Sequence, residues 1–512
     1  MTSLENATKQ RASAKTGYRR LTLYMATNSI SNAMYIVVFG EYVLIEVANS
    51  DVIWAAQLAA INNSVIYASR VFVGNPLMGN VSDLLGRRVG LMIGQGSFLV
   101  SMALFVYFPS IFTLLGGSCL AGCLTAEPVT QSYLADLTTV FTLTDYIKTA
   151  KVQPQKAKED MTEAELIAYR LLFAKKSSKL IALLLATYTF FLAVGAMAGS
   201  IMSAKLDEEA DGDAESFNST NSTIDVEKNN CDAAKETAGS TDHMKSTFDS
   251  AIFLSIICFL VTTTLGNTEA EKQLVEQNKS TRFSPIEAWF GSYNFVKSHM
   301  LNIKHVRVIL FLLFYMKSVE FGAISIFFYY GKFQFDWTAS EYAIFIMVIV
   351  LANAFANTVM VNLFNRLFKN QWNAALFCMI FLTLEFVFYF LATTTSAFTM
   401  AALFNSFNFL FSICKAKVFA NYDSNEFGKV AGGQEAILNC GSIFGPIIFA
   451  ALFTFGVDQT GLPDCVLGTG RHHYWAAFPW AFAAIAVFLC GTILPYVKRL
   501  DTFLTEGSNS KQ

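Results

Sequence analysis

The sequence predicts an all-α membrane protein: twelve transmembrane helices in two six-helix halves, with both termini cytosolic. Three observations carry that expectation. Of the 512 residues, 54% are hydrophobic and only 15% are charged, well below the roughly one-quarter charged fraction of soluble domains. About twelve apolar runs reach the roughly 20 residues that a bilayer core about 30 Å thick requires. Lys and Arg then gather on alternate connections, as the positive-inside bias demands.

The first six spans are read at 21–48, 53–78, 89–108, 110–134, 179–203 and 249–267. The second six are read at 306–331, 341–365, 372–393, 395–420, 431–456 and 475–497. Basic residues crowd the 1–20 tail, the 135–178 insertion (Lys148, Lys151, Lys175 and Lys176 among them) and the 268–305 linker, which places all three in the cytosol with the 498–512 tail. The 204–248 connection is acidic from Asp207 to Glu215 and holds acceptor triplets at Asn218 and Asn221, so it reads as an exoplasmic, glycosylated loop. Similar triplets at Asn80 and Asn278 fall on the cytosolic side, so the agreement with charge bias matters more than the triplet. The linker thus separates a bundle over 21–267 from one over 306–497, the layout of a repeat-built transporter. The N-terminus shows neither the short apolar core nor the small-residue cleavage site of a removable signal peptide, so the first span is expected to be retained.

Several function classes are set aside by the same reading. The net charge of −2 and the absence of a basic block interleaved with aromatics speak against nucleic acid. The sequence has no Gly-rich phosphate loop followed by Lys and no metal-spaced Cys/His cluster, and His472-His473 is an isolated pair. Neither an enzyme, a metal site, a cofactor nor a nucleotide-driven pump is expected. The expected partners are the lipid bilayer and a small-molecule solute, with protons as a coupling ion. Of the 9 cysteines most lie in spans as small buried residues, but Cys231 and Cys465 fall in exoplasmic loops at corresponding places, where a disulfide is expected in an oxidising compartment.

Between the second and third spans stands Gly79-Asn80-Val81-Ser82-Asp83-Leu84-Leu85-Gly86-Arg87-Arg88. Gly79 allows close helix approach, Gly86 permits a tight reversal, Asp83 suits a helix N-terminus, and Arg87 and Arg88 hold the loop on the cytosolic side. The segment resembles the signature loop of the major facilitator superfamily, although Leu84 stands where the family usually has a second basic residue. Tyr133-Leu134-Ala135-Asp136, and Glu426-Phe427-Gly428-Lys429-Val430 with Gly432, Gly433 and Glu435, resemble the tetracycline-efflux-like, hippocampus-abundant-transcript-like and proton-coupled folate transporter branches. The resemblance implies that Asp83, Arg87 and Asp136 form a cytosolic latch. It also implies that spans one, four, seven and ten line the cavity. The arginine that efflux members carry early in span four corresponds to Gly117, which speaks against their device for proton antiport.

Ionisable residues inside a bilayer need a partner, a wet cavity or a function. Arg70 of span two and Glu127 of span four lie in the cytosolic half, and Lys317 and Glu320 share a face near the middle of span seven. Each set has two readings: a substrate or proton site, or a static ion pair. Glu127 precedes the helix-perturbing Pro128. Asn28, Ser31 and Asn32 on span one, and Asn405 and Asn408 on span ten, offer neutral hydrogen-bonding groups to a cavity or glue between helices. Lys415, Lys417, Glu41 and Glu46 are read as snorkelling to an interface. The function that follows is secondary transport of a small organic solute by alternating access. A non-transporting sensor on the same fold is the competing class.

Overall fold

Apolar runs whose backbone groups must be satisfied without water leave helices as the regular element, and every regular element among the described residues is helical. The computed structural model describes residues 3–49, 51–150, 180, 183–184, 186–199, 201–202, 242–265, 294–368, 371–419, 422, 427–461 and 473–509. In chain order these form α1 (Ser3–Tyr42), α2 (Val52–Ser69), α3 (Asn75–Leu85), α4 (Arg87–Tyr107), α5 (Ile111–Cys123) and α6 (Glu127–Ala150). A short apolar helix α7 (Ala186–Gly199) and α8 (Asp242–Thr263) complete the first half. The second half holds α9 (Lys304–Phe335), α10 (Ala339–Phe355), α11 (Val361–Leu367), α12 (Gln371–Leu391), α13 (Thr395–Ala401), α14 (Leu410–Phe419), α15 (Phe427–Asp458) and α16 (Phe478–Asn509).

Among the described residues, ten helices are long and apolar enough to cross a membrane. The expected spans at 53–78 and 179–203 are not among them. The first is α2, which runs through a π-turn at Arg70–Gly74 into the more polar α3. The second is described chiefly over α7.

The structure refines four expectations. The 1–20 stretch, expected as a cytosolic tail, is helical from Ser3 as the start of α1: Ala14 is buried, Gly17 packs on Tyr133 and Leu137, and Arg20 donates to the Thr264 carbonyl. The charged segment Gly79–Arg88 is not a loop but helix on both sides of one hinge residue, Gly86, whose φ of 95° suits only glycine. The expected span 110–134 overlaps one apolar stretch, Ile111–Thr142, that breaks inside into two helices. Pro128 has no N–H and its ring crowds the carbonyl four residues back, so α5 ends at Cys123 and α6 begins at Glu127. Ser97 of α4 donates to the freed Leu124 carbonyl at 3.2 Å. The expected span 395–420 is likewise interrupted, by a 3-10 turn at Ala402–Phe407 between α13 and α14.

The tightest approach in the second half is α9 against α15. A Cβ on Gly445 would lie 2.0 Å from the Ser318 carbonyl oxygen, and one on Gly441 would lie 2.3 Å from that of Phe314. Small residues at this spacing let two backbones meet as membrane interfaces require.

Candidate functional site

The two halves meet along a seam formed largely by α2 against α9 and α15. Gln57 Nε2 donates to Thr454 Oγ1 at 3.2 Å, and Ser64 Oγ donates to the Ile443 carbonyl at 2.8 Å. Tyr67 meets Phe321 edge-on at 4.8 Å between ring centroids. Beyond these, Gly40 of α1 lies against the Phe328 ring of α9.

Three ion pairs cluster at this seam. Arg70 Nη1 is 3.1 Å from Glu127 Oε2, Lys317 Nζ is 2.8 Å from Glu320 Oε2, and Lys415 Nζ is 2.6 Å from Glu435 Oε1. Lys415 also lies within electrostatic reach of Glu127 and Glu320, and Glu435 within reach of Lys317, with Gln131 of α6 beside it. Aromatic faces finish the walls: the Arg70 guanidinium stands 5.0 Å over Tyr67, and Lys317 Nζ stands 4.2 Å over Phe321 and 5.1 Å over Phe411. Cations over such faces gain from the ring quadrupole. The paired side chains keep from 10% of their surface exposed at Glu435 to 38% at Glu127. Three cations balance three carboxylates, and the cluster is neutral overall.

Lys415 therefore does not snorkel to an interface, since its carboxylate partner waits on the next helix. Glu435, read from sequence only as part of a motif, is that partner.

At the Gly86 hinge, Arg87 is buried and its Nε lies 3.1 Å from Asp136 Oδ2, while its Nη1 donates to Ser82 Oγ at 2.6 Å. Gly79 and Asp83 sit on α3, with the Asp83 side chain outside the described residues, and Arg88 is exposed. Gly117 is buried, and a Cβ there would come 2.8 Å from Ser101 Oγ, so α4 occupies the space an arginine would need.

The neutral residues divide. Asn28 and Asn32 are half-buried on α1, with Tyr188 of α7 beside Asn32, whereas Ser31 turns away from the cavity and donates to the Ala251 carbonyl of α8 at 2.8 Å. Asn408 is buried, and among the described residues its Oδ1 finds no hydrogen-bond partner. Asn405 does not face a free cavity: its Nδ2 donates to Glu385 Oε1 at 3.1 Å. Glu385 was missed from the sequence, although it is the only charged residue of α12. Asn218, Asn221, Cys231, Cys465 and Glu426 lie outside the described residues.

Solved solute transporters share this architecture. The human organic anion transporter MFSD10 (TETRAN) aligns with a TM-score of 0.59 at 12% identity, over 94% of this chain and 99% of that one. A D-xylose-proton symporter aligns with a TM-score of 0.58 at 13% identity, over 93% and 96%. The nucleoside transporter NupG aligns with a TM-score of 0.54 at 12% identity, over 94% and 98%. No protein-family model and no curated protein sequence matches the chain. Likeness at such identities speaks for architecture: this chain has the fold of the major facilitator transporters.

Proposed function

We propose that this fold works here as a secondary transporter, moving a small organic solute by alternating access of its two halves, with protons as the coupling ion. Twelve spans and cytosolic termini belong to the same reading, with Arg87, Asp136 and Asp83 as the cytosolic latch. The observation that supports it is the neutral cluster of Arg70–Glu127, Lys317–Glu320 and Lys415–Glu435 on facing walls of the seam. A static seam gains little from buried charge, because paired ions in a low dielectric roughly break even against apolar packing. A solute carrying an acidic group gains much from it, since it exchanges with a carboxylate for a cation already in place. The organic anion transporter and the proton symporter among the structural neighbours are in line with that chemistry.

Thermal shift with benzoate, D-xylose, uridine and dialanine tests recognition first, because a ligand that binds the folded state raises its melting temperature. Benzoate is expected to give the largest shift, and Lys317→Met to abolish it. Flux of the same compound into proteoliposomes then separates transport from sensing. Stabilisation without flux would select the sensor.

In the proposed orientation Asn218, Asn221 and the Cys231–Cys465 pair face the exoplasm. A gel-mobility change on reduction, absent in Cys231→Ser, is the expected sign of that disulfide; identical mobility in both would reject it.

A further inference from the structure

We propose that Glu385 is a reversible proton-binding site, held by Tyr389 and Asn405 at the interruption between α13 and α14. That a proton bound there is carried across the membrane rests on the transport reading; that Glu385 binds one does not.

Glu385 is 2% exposed. Its Oε1 accepts from Tyr389 Oη at 3.0 Å and from Asn405 Nδ2 at 3.1 Å, and its Oε2 lies 3.5 Å from the same Nδ2. Among the described residues no Lys, Arg or His pairs with it, in contrast to Glu127, Glu320 and Glu435, each of which has a cation. The groups that face it are few. Its own helix supplies Tyr389 and Cys378, and α9 supplies Glu320, already neutralised by Lys317. The interrupted segment contributes the Asn405 amide, while α10 and α16 meet Tyr389 with the apolar faces of Phe345 and Trp480. An acid inside a membrane helix without a cation marks a functional group rather than a strut.

The arrangement accommodates both protonation states with the same three residues. The ionised carboxylate accepts from Tyr389 and from Asn405 Nδ2, which leaves Asn405 Oδ1 buried without a partner. Turning the amide by half a rotation brings Oδ1 to the carboxyl, where a neutral acid donates its O–H to it while Tyr389 still donates to the other oxygen. The orphaned acceptor is thereby satisfied while Nδ2 gives up its carboxylate partner, and the only particle gained or lost is the proton. Asn405 belongs to the 3-10 turn at Ala402–Phe407, and the backbone leaves helical geometry at Asn408, where ψ is 73°. Short 3-10 stretches inside helices mark hinges, so the occupancy of Glu385 acts directly on the point where this span bends. At Glu127 and Glu320 a proton would instead have to displace a cation.

Infrared difference spectra of the full chain in lipid nanodiscs, recorded from about pH 5 to about pH 9, read this site without any substrate. The expected result is a carboxylic-acid C=O band that disappears with rising pH, is missing in Glu385→Gln and persists in Glu127→Gln and Glu320→Gln. A band that survives Glu385→Gln, or none in the wild-type chain, overturns the proposal. Tyr389→Phe guards against a Glu385→Gln chain that fails to fold: losing one donor moves the midpoint by about tenfold in proton affinity, and an unmoved midpoint is equally fatal. Failure of solute flux with the Glu385 band intact rejects transport and leaves the proton site standing.

Discussion

Lys415→Met lowers the unfolding free energy by about 3 kcal/mol, because it leaves the Glu435 carboxylate in the seam without its partner. The Glu435 side chain is 10% exposed and its Oε1 lies 2.6 Å from Lys415 Nζ, so little water replaces the lost ammonium. The loss falls at the lower end of the range for broken buried pairs, since Lys317 remains within electrostatic reach of Glu435. The double variant Lys415→Met with Glu435→Leu recovers most of the stability, as apolar residues of similar volume replace a buried pair at little net cost. Chemical unfolding in detergent measures all three chains. A double variant no more stable than Lys415→Met alone would show that the pair does not act as a unit.

Gly445→Ala is the second large effect. The added methyl would stand 2.0 Å from the Ser318 carbonyl oxygen and 3.0 Å from the Gly322 nitrogen, both backbone atoms that no rotamer change removes. Either α9 and α15 part along their length or α15 shifts, and either outcome destabilises by about 3 kcal/mol or more, above the usual range for overpacking. Gly116→Ala is the control. Nothing lies within 4 Å of a Cβ at that position, and alanine in a helix interior gains about 0.5–1 kcal/mol over glycine. Thermal unfolding of the two variants should therefore move in opposite directions; movement in the same direction would refute the close-approach account.

How far the site was legible in the sequence depended on whether partners lie near one another along the chain. Lys317 and Glu320 sit three residues apart, so helical periodicity alone placed them on one face, and their 2.8 Å contact follows. Arg70 and Glu127 were findable as lone charges in apolar runs, and Pro128 marked the place where the helix between them breaks. Lys415 and Glu435 were harder: their pairing is set by how α14 and α15 pack, which no local pattern encodes. Glu385 stood in plain view as the only charge of α12, yet its meaning comes from Asn405, twenty residues on. The sequence left Asn405 and Asn408 open between cavity groups and glue between helices, and the bond to Glu385 puts Asn405 with the second reading, at a 3-10 turn that no local pattern announces. That the 1–20 stretch is helical was not legible from its polar composition; the small residues Ala14 and Gly17 are what let α1 dock on Tyr133.

Each of the three ion pairs closes within its own half. Arg70 and Glu127 join α2 to α6, Lys317 and Glu320 share α9, and Lys415 and Glu435 join α14 to α15. The contacts that bridge the halves include neutral ones, an amide on a hydroxyl at Gln57 and Thr454, a hydroxyl on a carbonyl at Ser64 and Ile443, and two rings at Tyr67 and Phe321, together with Gln131 beside the Glu435 carboxylate. Parting the halves would strip none of these three salt bridges, although it would separate Lys415 from Glu127 and Glu435 from Gln131. The salt bridges thus stiffen each half by itself, while single hydrogen bonds and ring contacts are what join one half to the other.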